Sequence, residues 1–141
     1  MSDDPFDLQR FVDAQEPVYE RVRTELKNGR KRSHWMWFIF PQITGLGHSA
    51  MAQRYAISSL SEAKGYLAHP ILGPRLRECT RLVVQVDGKS AYDILGSPDD
   101  MKFHSCTTLF ARAAPQEQIF LDALEKYFGG AEDQATVARL R

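Results

Sequence analysis

An all-α, compact multihelical single domain spanning residues 1–141 is the fold class this sequence predicts, and three observations predict it. Apolar residues recur at helical spacing through most of the chain, most clearly at Leu72, Leu76, Cys79, Val83 and Val86. Cap and stop residues punctuate those stretches at regular intervals. The one run rich in aromatic residues, which alone could favour a strand, has no partner strand elsewhere.

The elements follow in order. Asp4-Pro5 reads as an N-cap and first-turn proline for a helix carrying Leu8, Phe11, Val12 and Gln15. Pro17 removes an N–H and is expected to kink or restart the helix, which continues through Val18, Tyr19, Val22 and Leu26. Asn28-Gly29 is a left-handed stop. Arg30, Lys31 and Arg32 then read as a solvated basic patch near that helix's negative end. Ser33 is expected to cap a short helix over residues 33–40, ended by Pro41. Residues 43–47 form a loop with two glycines, and Ser49 opens a short helix with Met51, Ala52 and Tyr55. Ser59-Leu60-Ser61-Glu62 has the spacing of a capping box, for a helix that stops at His69-Pro70. The amphipathic stripe from Leu72 follows, then a turn at Asp87-Gly88. Ser90 and Asp93 start a brief helix ending at Gly96. Ser97-Pro98-Asp99-Asp100 supplies a cap, a first-turn proline and two early acids for a helix running to about residue 113. Pro115 begins another, stopped by Gly129-Gly130, and Asp133 caps the last.

Composition excludes several function classes. Eighteen basic and eighteen acidic residues cancel, so no broad nucleic-acid footprint is expected. The acidic opening has no apolar segment after it, and the longest apolar run, residues 35–40, is far too short to cross a bilayer. Cys79 and Cys106 stand far apart, and His34, His48, His69 and His104 are scattered without ligand spacing. The expectation is a cytoplasmic protein with free thiols, no metal and no cofactor. The sequence says nothing of its oligomeric state.

Two places are polar where a plain core would not be. Arg32, Ser33 and His34 lead into Trp35, Met36, Trp37, Phe38, Ile39 and Phe40, with Gln42 beyond the proline. Tryptophan beside cations makes a stacking surface with anion-binding corners, the chemistry that suits a nucleotide-like small molecule. In the later helix, Asp99, Lys102 and Cys106 share one face with Ser105 and Thr108 at its edge. Ser, Cys and Thr are poor helix-interior residues unless their side chains are engaged elsewhere. Lys102, Ser105 and His34 are therefore the candidate catalytic residues, and Arg32, Ser33, Trp35, Trp37 and Gln42 the candidate ligand-binding ones. Lys102 is expected near His34 or Gln42, across a cleft floored by Trp37; the plainer arrangement is an Asp99–Lys102 pair in solvent, far from the aromatic stretch. No Ser–His–Asp arrangement, carboxylate pair or phosphate loop names a reaction.

The run from Arg32 to Gln42 resembles the signature of a bacterial family of unknown function. Gly45-Leu46-Gly47, Tyr55-Ala56-Ile57, Tyr66-Leu67-Ala68-His69-Pro70, Leu72-Gly73 and Asp100-x-Lys102 match it as well. The resemblance covers almost the whole chain and implies a mainly helical, cytosolic protein. Members are often labelled "calpastatin". Calpain inhibitors of that name are disordered and low in aromatics, whereas this chain is 11% aromatic with capped helices, so protease inhibition is not expected. Where the family has Ser-Ser-Met-Thr-Leu-Phe, this chain has Ser105-Cys106-Thr107-Thr108-Leu109-Phe110. A fainter similarity to helical N-glycosidase domains of NAD-linked metabolism points to a hydrolase of ADP-ribose-like substrates. A non-catalytic metabolite-binding or protein-interaction module is the alternative, and both stand at this point.

Overall fold

The computed structural model describes residues 4–140, so the acidic opening at residues 1–3 lies outside it. Among the described residues there are ten helices and no strand; Ile43 and Ile57 make one isolated parallel bridge. The helices are α1 (Gln9–Gln15), α2 (Tyr19–Lys27), α3 (Met36–Ile39), α4 (Ala50–Arg54), α5 (Leu60–Ala68), α6 (Leu72–Val84), α7 (Ala91–Leu95), α8 (Asp99–Ala113), α9 (Gln118–Phe128) and α10 (Gln134–Arg139). The fold class is all-α, as the periodicity predicts.

Helix α8 is the hub. Nine of its fifteen residues are buried, and it packs against α5, α7, α9 and α10. Helix α6 lies against α2, α5 and α9 through its stripe, with Leu72, Leu76, Cys79 and Val83 inside. Two chains of rings thread the core. Trp35, Phe40, Phe103 and Phe128 touch in series, as do Phe11, Tyr66, Phe110 and Phe120. The Phe40–Phe103 pair is T-shaped at 4.9 Å, an arrangement worth about 0.5–1.5 kcal/mol beyond its buried area. Gln15 is buried among them, and its amide donates to the Phe38 carbonyl, fastening α1 to α3.

Several local expectations hold in detail. Gly29 has φ +71°, and the bonds from Arg30 N to Glu25 O and from Gly29 N to Leu26 O close a Schellman motif. Ser49, Ser90 and Asp133 cap α4, α7 and α10. Four others are corrected. Helix α1 starts at Gln9 rather than at Pro5, with the Asp4 carboxylate reaching forward to Leu8 N and Gln9 N. Ser33 does not cap α3, because its hydroxyl donates to Glu25. Pro98, not Ser97, takes the N-cap position of α8, its carbonyl accepting from Met101 N and Lys102 N. Helix α9 begins three residues after Pro115. The Ser59 box is half made. Ser59 Oγ accepts from Glu62 N, but the Glu62 carboxylate turns to Ser58 and Arg10.

Helices α5 and α6 meet closely at Gly73, where a Cβ would lie 2.1 Å from the Leu67 carbonyl oxygen. Backbone cannot yield there as a side-chain tip would. Gly73→Ala is therefore expected to destabilise by about 1–3 kcal/mol, despite alanine's better helix propensity. Chemical denaturation measures it, and an unchanged midpoint would show that α5 and α6 can separate freely.

Candidate functional site

The site is built where the residues after α3 meet the first turn of α8. Trp37 is half-buried on α3, and the Lys102 ammonium stands 5.4 Å from the centroid of its ring. Asp99, one turn earlier on α8, is 3.8 Å from Lys102 Nζ and 2.9 Å from Lys31 Nζ. Lys31 is thus the tighter partner of Asp99. Its side chain is 9% exposed, its ammonium lies over the Trp35 ring, and its backbone N–H bonds the Ile94 carbonyl. Of the three cations read as one solvated patch, Lys31 is structural, while Arg30 and Arg32 are exposed.

Two cavities flank Lys102. A narrow crevice lined by Trp37, Gln42, Gly45, Tyr55 and Lys102 has 20 Å³ of room, space for a water or two. A wider one, 360 Å³, is lined by Leu46, Met101, His104, Ser105 and Asp133. Gln42, Gly47 and Lys102 line both. The Gln42 carbonyl accepts from Ile57 N, which fixes its backbone; its carboxamide has no protein partner among the described residues.

The structure brings together Trp37, Gln42, Lys102 and Ser105, and leaves the other candidates elsewhere. His34 and Arg32 are exposed and line neither cavity. Trp35 is 1% exposed, its indole N–H bonded to Glu25 at 2.9 Å, so it serves the core. Ser33 belongs to the same Glu25 knot. That carboxylate accepts from Arg32 N, Ser33 N, Ser33 Oγ and Trp35 Nε1. Burial pushes its pKa up, but those donors outweigh burial and hold it at about 2. Sequence reasoning passed over Glu25, which looks like an ordinary surface acid on α2.

Two hydroxyls of α8, those of Ser105 and Thr108, are engaged with the chain that follows α9, while Thr107 Oγ1 donates back to the Phe103 carbonyl of its own helix. Ser105 Oγ donates to Asp133 Oδ2 at 3.0 Å, and Thr108 Oγ1 accepts from Asp133 N at 2.9 Å. Asp133 Oδ2 also accepts from Thr136 N and Thr136 Oγ1. Ser105 and Thr108 thus seat α10, and Ser105 with Asp133 shapes one wall of the wider cavity. Cys106 does not line that cavity; it is fully buried, and burial pushes its thiol well above the usual range. Among the described residues no three His, Cys, Asp or Glu side chains gather as a metal site would need, and no helix is long and apolar enough to cross a membrane.

No curated protein matches the chain. Among solved structures, the crystal structure of the conserved hypothetical protein Rv1873 from Mycobacterium tuberculosis matches with a TM-score of 0.96 and 61% identity, over 97% of this chain and 98% of that one. Residues 5–140 match the model of a family described as "Protein of unknown function (DUF1810)". The chain belongs to that DUF1810 family of proteins of unknown function.

Proposed function

We propose that the protein binds a nucleotide-like small molecule of the ADP-ribose class between Trp37, Lys102 and Gln42, and hydrolyses it. The observation that supports this reading is the Lys102 ammonium over the Trp37 ring, beside an unengaged Gln42 carboxamide. A ring to stack on, a cation and a two-way hydrogen-bonding group are what such a ligand needs. Lys102 is free to exchange its present contacts. Its cation–π contact is worth about 0.5–1 kcal/mol and its 3.8 Å pair with Asp99 about 0–1, against about 1.5–3 for a hydrogen bond to an anion. Because Lys102 lines both cavities, its movement would join the crevice to the wider space, whose 360 Å³ lies within the usual range for ligand sites. In hydrolysis Lys102 neutralises the leaving anion. Asp133, held by Ser105, is the carboxylate in the wider cavity available to draw a proton from water.

A non-catalytic binding module is the second reading, and one observation favours it. Asp133 Oδ2 already accepts from three donors, which suits a helix cap better than a base. Thermal shift with ADP-ribose, followed by chromatography of the mixture, tests both. A ligand at a hundredfold its Kd should stabilise the protein by about 2.7 kcal/mol. Product formation supports the hydrolase and intact ligand the module. Lys102→Met is expected to remove the ligand-induced shift while changing the unliganded stability by no more than about 0.5 kcal/mol. An equal shift in that variant would take Lys102 out of the site.

A further inference from the structure

Gly45 lies at the lip of the crevice, and its conformation is one that side chains avoid, with φ +95°. The space a Cβ would fill is occupied by the guanidinium of Arg139, the last residue of α10. Nη1, Cζ and Nε would lie 2.6, 2.8 and 3.0 Å from that Cβ. An arginine some ninety residues away in sequence therefore lies against the backbone of the crevice loop, at its rim rather than among the residues that line either cavity, and the positive φ is what calls for glycine there.

Two further features accompany this contact. Arg139 has no acidic partner among the described residues, a state it shares with Arg21, Arg30, Arg32, Arg54 and Arg81, so its charge is open to a ligand anion. The loop amides are unengaged too. Thr44 N bonds the Ile57 carbonyl at 2.8 Å, but Gly45 N, Leu46 N and Gly47 N donate to no protein acceptor among the described residues. A guanidinium without a counter-charge beside a run of free amides is the chemistry that holds a phosphoryl group, by fork-like N–H donation and backbone donors together. The position is fixed from the other end by the Asp133 cap and its bonds from Ser105 and to Thr108, which set α10 on α8.

We infer that Arg139 and the 45–47 loop form an anion seat for the phosphoryl end of the ligand whose flat end lies against Trp37 and Lys102. This rests on the binding reading above and adds a second, separate cation to it. The seat explains why a glycine loop, a central lysine and the final helix converge on one lip of the molecule.

Isothermal titration of the full chain, Arg139→Gln and Lys102→Met with ADP-ribose, adenosine and inorganic pyrophosphate tests it. Arg139 is exposed, so Arg139→Gln should keep the wild-type melting temperature. The seat predicts that Arg139→Gln weakens ADP-ribose and pyrophosphate at least about tenfold and leaves adenosine unaffected. ADP-ribose bound equally well by Arg139→Gln, yet lost in Lys102→Met, would overturn the seat and leave the binding reading intact. Adenosine weakened as much as ADP-ribose would overturn it as well, by showing a general collapse of the lip. Binding of none of the three by the wild-type chain would remove the binding reading and the seat together. Pyrophosphate held by the wild type and lost in Arg139→Gln, with adenosine unbound throughout, would uphold the seat and refute the nucleoside part.

Discussion

Trp35→Ala should destabilise the protein by about 3–5 kcal/mol, a large share of the roughly 5–15 kcal/mol that holds a domain of this size together. The ring is 1% exposed, lies against Phe40 and carries the Lys31 ammonium on one face. Removing it opens a cavity at the head of the ring series that runs through Phe40 to Phe103 and Phe128. Lys31, almost closed off from solvent, would keep only Asp99. Trp37→Ala is the control, because that ring is half-buried and should cost visibly less. Urea denaturation of the two variants decides the matter. Equal midpoints would mean that Trp35 is no more a core residue than Trp37.

The neighbouring tryptophans show what could and could not be read in the sequence. That the run at residues 35–40 had to be buried followed from its apolar surface and holds for all but the half-buried Trp37, and the helical period of Leu72, Leu76, Cys79 and Val83 placed α6 correctly. Stops such as Asn28-Gly29 and caps such as Ser90 were legible because their chemistry is local, spanning four residues or fewer. Ser33 has that same local chemistry and was misread. A carboxylate eight residues earlier, presented by the preceding helix, offers its hydroxyl a stronger, charged acceptor. Lys31 was misread for the same reason, since Asp99 lies far along the chain. Lys102 stands over Trp37 and lines both cavities with Gln42; it keeps a loose contact with Asp99, but not in solvent far from the aromatic stretch as the plainer arrangement had it. Ser105 illustrates a subtler limit. Its composition signal was genuine, but the hydroxyl is engaged with Asp133 at the start of α10, a partner that helical periodicity cannot supply. Arg139 carried no signal at all, because its position is set by where α10 returns to the crevice.

Glu25→Ala should be as damaging as any core truncation, at about 3–5 kcal/mol, although it removes an acid from a helix with an exposed face. The carboxylate is 7% exposed and accepts from two backbone amides, a hydroxyl and an indole N–H, so its loss strands four donors at once. Those donors tie the end of α2 to residues 32–35 and so set the direction in which the chain enters α3 and brings Trp37 to the crevice. The same knot makes a prediction about pH. Glu25 titrates near its ordinary value of 4.5 when unfolded and at about 2 when folded. A depressed folded-state pKa stabilises the protein fully above the unfolded value. That contribution, on the order of 3 kcal/mol, declines as pH falls from about 5 towards 2, because the unfolded chain takes up the proton first. Stability should therefore fall steeply with acid in the wild type. Glu25→Gln, neutral throughout, should start lower at pH 7 and fall less over the same interval. The comparison is of denaturation midpoints at pH 7, 5, 4 and 3 for the two proteins. Parallel pH profiles would show that Glu25 carries no linked proton, and that the four donors find other acceptors when it is gone.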